Sequence, residues 1–431
     1  MSDKKMMDSS SLAYKKWMVV ALLWGSQAIT FIIRISLAVV APTLITLYGI
    51  SPTAMGFILS GYSWFYMACL LPMGFLSDRF GPFLVMGMGS IVWGSATIAF
   101  PLVTAGVFFF FMRGMFGAGH SMMISAGLTA LAHWVPREQR AFAVGLTFAG
   151  GTMGLAIGSP TASFILDRFG WEAVFYAVGA ASLLFSLAWF ALYPKERLGP
   201  GTVPEREKKR VTQEDRVSWG TLLRHRSTWG MALGLAGYLY AYFFFMTWLP
   251  GYLVMERGMT VLRTGFVATL PFLMGMLGTI GGGVLGDFLI RRGVNPTLAR
   301  KAIIGSGLTG ATIMIIAAAF AQETWLAVVL LTLGMGSLRL TTASCNSIPI
   351  DLAPPQATAS LASIQSLGGN TGGLIAPILT GYIVDVTGSF QVALIVAGGM
   401  ALMSACSYVF LVGRIEPWQL PSQASTTDSS D

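Results

Sequence analysis

Four basic side chains fall where an apolar chain is expected to carry none. Arg34, Arg113, His120 and Arg339 each lie inside an apolar run long enough to cross a bilayer, which takes about 20 residues. Arg113 and His120 are seven residues apart, two helical turns, and so share a helix face. A guanidinium facing lipid costs about 3 kcal/mol on insertion scales. These groups are therefore expected to face a protein interior or a water-filled cavity. Arg113 has two readings: it serves transport or its gating, or it ties helices together through carbonyl oxygens. Gly117 and Gly119 beside it would let a neighbouring helix approach closely. No Asp or Glu lies at comparable depth, and permanent cations in a low dielectric are unfavourable unless something negative arrives. The simplest supply is a ligand. A guanidinium suits a carboxylate because its planar fork makes two parallel hydrogen bonds. The pattern predicts a small organic anion, with Arg34 and Arg339 as opposing clamps, one from each half of the chain. Arg339 has a second reading, as a partner of the polar stretch Thr341-Thr342-Ala-Ser344-Cys-Asn346.

Neutral donors are needed to orient such an anion. Tyr66 is one candidate; Tyr238 and Tyr242, four apart and on one helix face, are others, as are Gln365 and Asn370. Each has the plainer reading of a buried polar group that only satisfies itself. His120 is the group near mid-span that titrates close to neutral pH. A charged imidazole would strengthen anion binding, and by linkage a bound anion would favour the charged imidazole. That is a proton symport device, with Arg113 beside it in the same coupling element. Nearby arginines oppose the charge, and the alternative is exchange, in which fixed cations forbid the empty site to reorient.

The elements that must position these groups are membrane helices. The 431 residues are 54% hydrophobic and 11% charged with mean hydropathy +0.68, and the apolar residues come in long runs, which excludes a soluble domain. Twelve spans are predicted, at 17–42, 53–74, 82–103, 106–130, 140–165, 171–193, 228–253, 262–285, 299–321, 324–350, 357–382 and 390–413. The organisation read from them is a cytoplasmic tail (1–16), a six-helix half (17–193), a cytoplasmic linker (194–227), a second six-helix half (228–413) and a cytoplasmic tail (414–431). With the N-terminus inside, 21 Lys and Arg fall in cytoplasmic segments and only Arg168, Arg257 and Arg263 outside. This bias places both termini in the cytoplasm of a multi-pass protein; the membrane expected is the cell membrane, a bacterial inner membrane. It also accounts for the net charge of +8 without a nucleic-acid partner. Cys69, Cys345 and Cys406 lie within spans and read as small core residues, with no metal site and no cofactor. Met1–Lys16 is polar and the first apolar run continues as a full span, so no cleaved signal is read.

The chain repeats itself. Gly74-Phe-Leu-Ser-Asp78 matches Gly283-Val-Leu-Gly-Asp287, and Gly150-Gly151 through Asp167 matches Gly368-Gly369 through Asp385, at offsets of 209 and 218. The expected fold is an all-α membrane protein of twelve transmembrane helices in two six-helix pseudo-symmetric halves, the plan of a rocking transporter, read as a monomer.

Gly74-Phe-Leu-Ser-Asp78-Arg79-Phe-Gly81 resembles the loop signature of the major facilitator superfamily, and Arg113-Gly-Met-Phe-Gly117-Ala-Gly119 resembles its fourth-helix motif. More narrowly, Tyr62-Ser-Trp64-Phe-Tyr66, the run Phe244-Phe-Met-Thr-Trp248-Leu-Pro250 and Trp134-Val-Pro136-Arg-Glu-Gln-Arg140 resemble the anion:cation symporter family, whose members include galactonate and hexuronate transporters. The resemblance implies a secondary transporter of an organic anion, with Arg34 on the substrate carboxylate. It also implies a gating latch at Asp78 and Arg79, with Asp287 as its twin. Two departures stand out: the family's Asp-Arg pair is here Ile33-Arg34, and its fourth-helix Glu is His120. Carboxylate-based proton coupling is thereby put in doubt. An enzyme is disfavoured because no nucleophile–base set or phosphate loop is found. A sensor would need an output domain, and a drug or cation exporter would want buried carboxylates.

Overall fold

The computed structural model describes residues 2–104, 106–194, 219–353, 357–416 and 418. Among them the backbone is helical. The order is α1 (Ser2–Tyr48), α2 (Pro52–Phe80), α3 (Pro82–Ala99), α4 (Gly106–Trp134), α5 (Arg137–Phe169) and α6 (Trp171–Leu192). A short α7 (Trp219–Arg224) precedes α8 (Arg226–Met255), α9 (Val261–Arg291) and α10 (Pro296–Phe320). The chain ends with α11 (Thr324–Leu340), α12 (Thr342–Leu352), α13 (Thr358–Thr387) and α14 (Gln391–Cys406). Ten stretches, with α11 and α12 taken together, are long and apolar enough to cross a membrane; α2 and α13, of 29 and 30 residues, complete twelve. The fold is the all-α, twelve-span architecture expected. Two details differ. The first helix begins at Ser2 and runs through the expected polar tail. The tenth span is broken at Thr341, whose hydroxyl donates to the Leu338 carbonyl at 2.8 Å and whose own carbonyl accepts from Cys345 N at 2.9 Å. A hydroxyl that competes for a backbone carbonyl in this way favours a helix end. Most of the expected linker lies outside the described residues, as does the tail beyond Trp418.

By contact the chain divides into two compact units, one of residues 1–203, 243–273 and 374–393, the other of 204–242, 274–373 and 394–431. In the first, Ser51 caps α2 by accepting from Ala54 N at 3.2 Å, ahead of Pro52 at the first helical position, the usual start chemistry. Gly81, at φ +79°, turns the chain from α2 into α3, a conformation that favours glycine. Helix α1 packs on α5 through a stripe spaced every four residues, Gly150, Gly154 and Gly158; a Cβ at the first two would strike the Trp24 and Ala28 carbonyls. Helix α2 packs on α4 in the same manner, with Gly117 over the Tyr62 carbonyl.

At the end of this unit that carries the α1–α2 turn, several helices close on one another. Thr53 donates to Asp385 Oδ2 at 2.5 Å, Trp248 Nε1 donates to the Pro377 carbonyl at 3.0 Å, and Thr269 donates to the Ala156 carbonyl at 3.1 Å. Gly265 on α9 lies against Ser163 on α5.

The second unit uses the same construction. Gly372 on α13 lies over the Ala236 carbonyl of α8, and Gly278 and Gly282 on α9 lie over the Gly336 and Leu340 carbonyls of α11. Asn295 caps α10 by accepting from Thr297 N at 2.8 Å.

Candidate functional site

In the first unit three helices bring cations and aromatic rings to one place. Close contact of α2 with α4 sets Tyr62 and Tyr66 against His120, and α1 passes alongside with Arg34. Arg34 is 8% exposed. Its guanidinium carbon lies 4.2 Å from the Tyr62 ring centre, 5.0 Å from that of Phe31 and 5.2 Å from that of Phe243 on α8. Among the described residues no side chain or carbonyl accepts a hydrogen bond from it. Contacts of this kind are worth about 0.5–2 kcal/mol each. An uncompensated buried charge costs several kcal/mol, so the rings offset part of the burden and leave the hydrogen-bonding edge unsatisfied.

Arg113, also buried, is employed differently. Its Nη1 donates to the Ile33 carbonyl at 3.5 Å and its Nη2 to the Arg34 carbonyl at 3.3 Å, and it lies 5.1 Å from the Phe116 ring. This is the helix-tying arrangement, with α4 holding the segment of α1 that carries Arg34.

His120 is 3% exposed. Its Nδ1 shares a hydrogen bond of 2.7 Å with the Tyr62 hydroxyl, while its Nε2 has no protein partner among the described residues. The imidazole lies parallel to Phe116 (8° between planes, 6.3 Å) and 5.6 Å from Tyr66. Tyr66 in turn stacks on Tyr62 at 5.4 Å.

The second unit holds the remaining expected residues. Arg339, in the last turn of α11, donates from Nη1 to the Tyr238 hydroxyl at 3.0 Å and lies 5.1 Å from the Tyr242 ring. The Tyr238 hydroxyl also bonds Thr342 at 2.9 Å. Arg339 and Thr342 at the start of α12 are thus linked through the Tyr238 hydroxyl of α8. Gln365 is buried, its amide nitrogen donating to the Cys345 carbonyl at 3.0 Å and to the Tyr408 hydroxyl at 2.9 Å. Asn370 donates to its own helix, at the Ser366 carbonyl. Of the latch residues, Arg79 is exposed beside Phe80 and Asp287 is exposed near the end of α9. The side chain of Asp78 lies outside the described residues.

The structure adds Tyr62, Phe31 and Phe243 to the residues picked from the sequence. Tyr62 was visible only as part of a family-like run, and the phenylalanines looked like any residues of an apolar span.

A family model described as the Major Facilitator Superfamily matches residues 23–361 and 297–428. The chain is similar to a probable L-galactonate transporter of Escherichia coli K12, with 30% identity over 91% of this chain and 88% of that one. It is also similar to a probable galactarate/D-glucarate transporter of Bacillus subtilis 168, with 28% identity over 96% of each. A probable sulfoacetate transporter of Cupriavidus necator is 27% identical over 91% of this chain and 93% of that one. Among solved structures, a bacterial homolog of the human lysosomal transporter Spinster superposes with a TM-score of 0.72 at 17% identity, covering 92% of this chain and 95% of that one; at that identity the likeness is one of fold. With its twelve apolar helices and a match spanning nearly its whole length, the chain belongs to the Major Facilitator Superfamily.

Proposed function

We propose that the protein is a secondary active transporter that moves a small organic carboxylate across the cell membrane by alternating access, with proton symport as the coupling. The observation that carries this reading is Arg34: a buried guanidinium seated on three rings, with no hydrogen-bond acceptor among the described residues. A carboxylate is the simplest group that supplies both the missing charge and the paired acceptors. The named substrates of the relatives, galactonate, galactarate and sulfoacetate, are anions of this kind. His120, beside the Arg34 seat and with Nε2 unpartnered among the described residues, is the group we assign to carry the proton. The excess of Lys and Arg in alternate loops supports cytoplasmic termini, which makes the closed α1–α2 turn end the outer one.

Exchange is the second reading, favoured by two buried guanidinium groups, Arg34 and Arg113, which an empty site would have to carry uncompensated as it reorients. Uptake of a panel of labelled organic anions by the purified protein in liposomes separates the readings. Accumulation in empty vesicles driven by a pH gradient supports symport. Uptake only into anion-loaded vesicles supports exchange. Transport of a cation in place of any anion overturns both.

A further inference from the structure

Tyr62 sits between the two charged functions of the site. It is 5% exposed, and the Gly117 contact fixes its backbone against α4. Its ring face lies 4.2 Å from the Arg34 guanidinium carbon, and its hydroxyl is 2.7 Å from His120 Nδ1. A neutral imidazole has one N–H and one lone pair, so the phenol can either donate to Nδ1 or accept from it. An imidazolium has two donors, and the phenol must then accept. A tyrosine hydroxyl can meet both states with one bond; a phenylalanine can meet neither. While that bond stands, Nδ1 is engaged and only Nε2 is left for exchange of a proton. The groups facing His120 are few: Tyr62 and Tyr66 from α2, Arg34 from α1 and Arg113 on α4 itself, while α3 has no titratable residue in its sequence.

We propose that Tyr62 is a positioning residue that joins the two functions: its hydroxyl holds His120 at Nδ1 so that Nε2 takes up and releases the proton, and its ring seats Arg34. The proposal rests on the transporter reading above. It separates the hydroxyl from the ring, which a merely structural role would not do. Tyr62→Phe keeps the ring and loses the hydroxyl, whereas Tyr62→Leu loses both.

The test uses the full-length protein in liposomes, with labelled galactonate as the first probe and the anion panel behind it. Wild-type uptake is expected to change with pH, and His120→Gln to remove that change. Tyr62→Phe is expected to keep KM within about threefold of wild type while its pH profile flattens to that of His120→Gln; Tyr62→Leu is expected to raise KM about tenfold or more. A Tyr62→Phe profile superimposable on wild type overturns the proposal, and so does an equal rise of KM in the two variants. Should Tyr62→Leu fail to reach the membrane, the Tyr62→Phe profile alone decides. Absence of uptake of every anion by the wild type would refute the transporter reading and this proposal with it. A pH-dependent wild type with an unaltered Tyr62→Phe would refute only the role of Tyr62.

Discussion

The Arg113 guanidinium donates to the carbonyl oxygen of Arg34 at 3.3 Å, so one buried arginine holds the backbone that carries the other. The two residues share a charge and a neighbourhood yet have different tasks, because Arg113 uses its donors on the protein and Arg34 does not. Their substitutions should therefore behave differently.

Replacing Arg34 by Lys keeps the charge but loses the planar fork and much of the stacking on three rings. Anion affinity is expected to fall about 10- to 100-fold, the cost of about 1.4–2.7 kcal/mol, with normal membrane insertion. Uptake kinetics alongside surface quantification check this. Transport at the wild-type level would remove Arg34 from the site.

For Arg113 the main effect should be on stability. The carbonyl bonds at 3.3 and 3.5 Å are long, so each is weak. Arg113→Lys is expected to destabilise the purified protein by about 1–2 kcal/mol and to leave residual transport above that of Arg34→Lys. Thermal unfolding in detergent, read beside uptake, distinguishes the two. An unchanged melting temperature with abolished transport would instead make Arg113 a direct participant.

The glycine stripe of α5 offers a packing test with an internal control. A Cβ at Gly154 would strike the Ala28 carbonyl, whereas one at Gly145 meets nothing within 4 Å. Gly154→Ala is expected to cost about 1–3 kcal/mol through overpacking; Gly145→Ala should be neutral within about 0.5 kcal/mol. Equal stability of the two variants would mean that α1 and α5 separate more easily than their contact implies.

The closed α1–α2 turn end can be locked. In a background free of Cys69, Cys345 and Cys406, the pair Thr53→Cys and Asp385→Cys should be joined by a short, reducible thiol cross-linker, since the two native side chains meet in a hydrogen bond of 2.5 Å at this end. Uptake is expected to fall about tenfold or more and to recover on reduction, if these helices must part during the cycle. Full uptake by fully cross-linked protein would exclude opening at this end.

The intramembrane cations were legible in the sequence because a charge in an apolar span is costly and stands out by type alone. The twelve spans were legible for the same reason, since length and hydropathy define them. The aromatic seat of Arg34 was not. Phe31, Tyr62 and Phe243 come from three helices, and nothing in an apolar run distinguishes a ring beneath a guanidinium from a ring in the core. The division of labour between Arg34 and Arg113 was also hidden, because it depends on which carbonyls lie within reach once α1 and α4 are packed. The polar stretch at Thr341 announced itself by composition, but whether its hydroxyls break the helix or face a cavity depends on local backbone geometry.

The stripe of Gly150, Gly154 and Gly158 has a consequence for how such a protein can change over time. It joins α5 to α1 largely through main-chain atoms of α1, and main-chain atoms are the same whatever residue bears them. Arg34 projects from a different face of that helix, toward Phe31, Tyr62 and Phe243. Anchorage and the seat of Arg34 thereby use largely different atoms of one helix, main chain for the first and side chains for the second, and they meet at Phe31, whose ring also lies against Gly151 of α5. On the proposed role of Arg34, the rings of Tyr62 and Phe243 can be exchanged for others while the helix stays moored where it is.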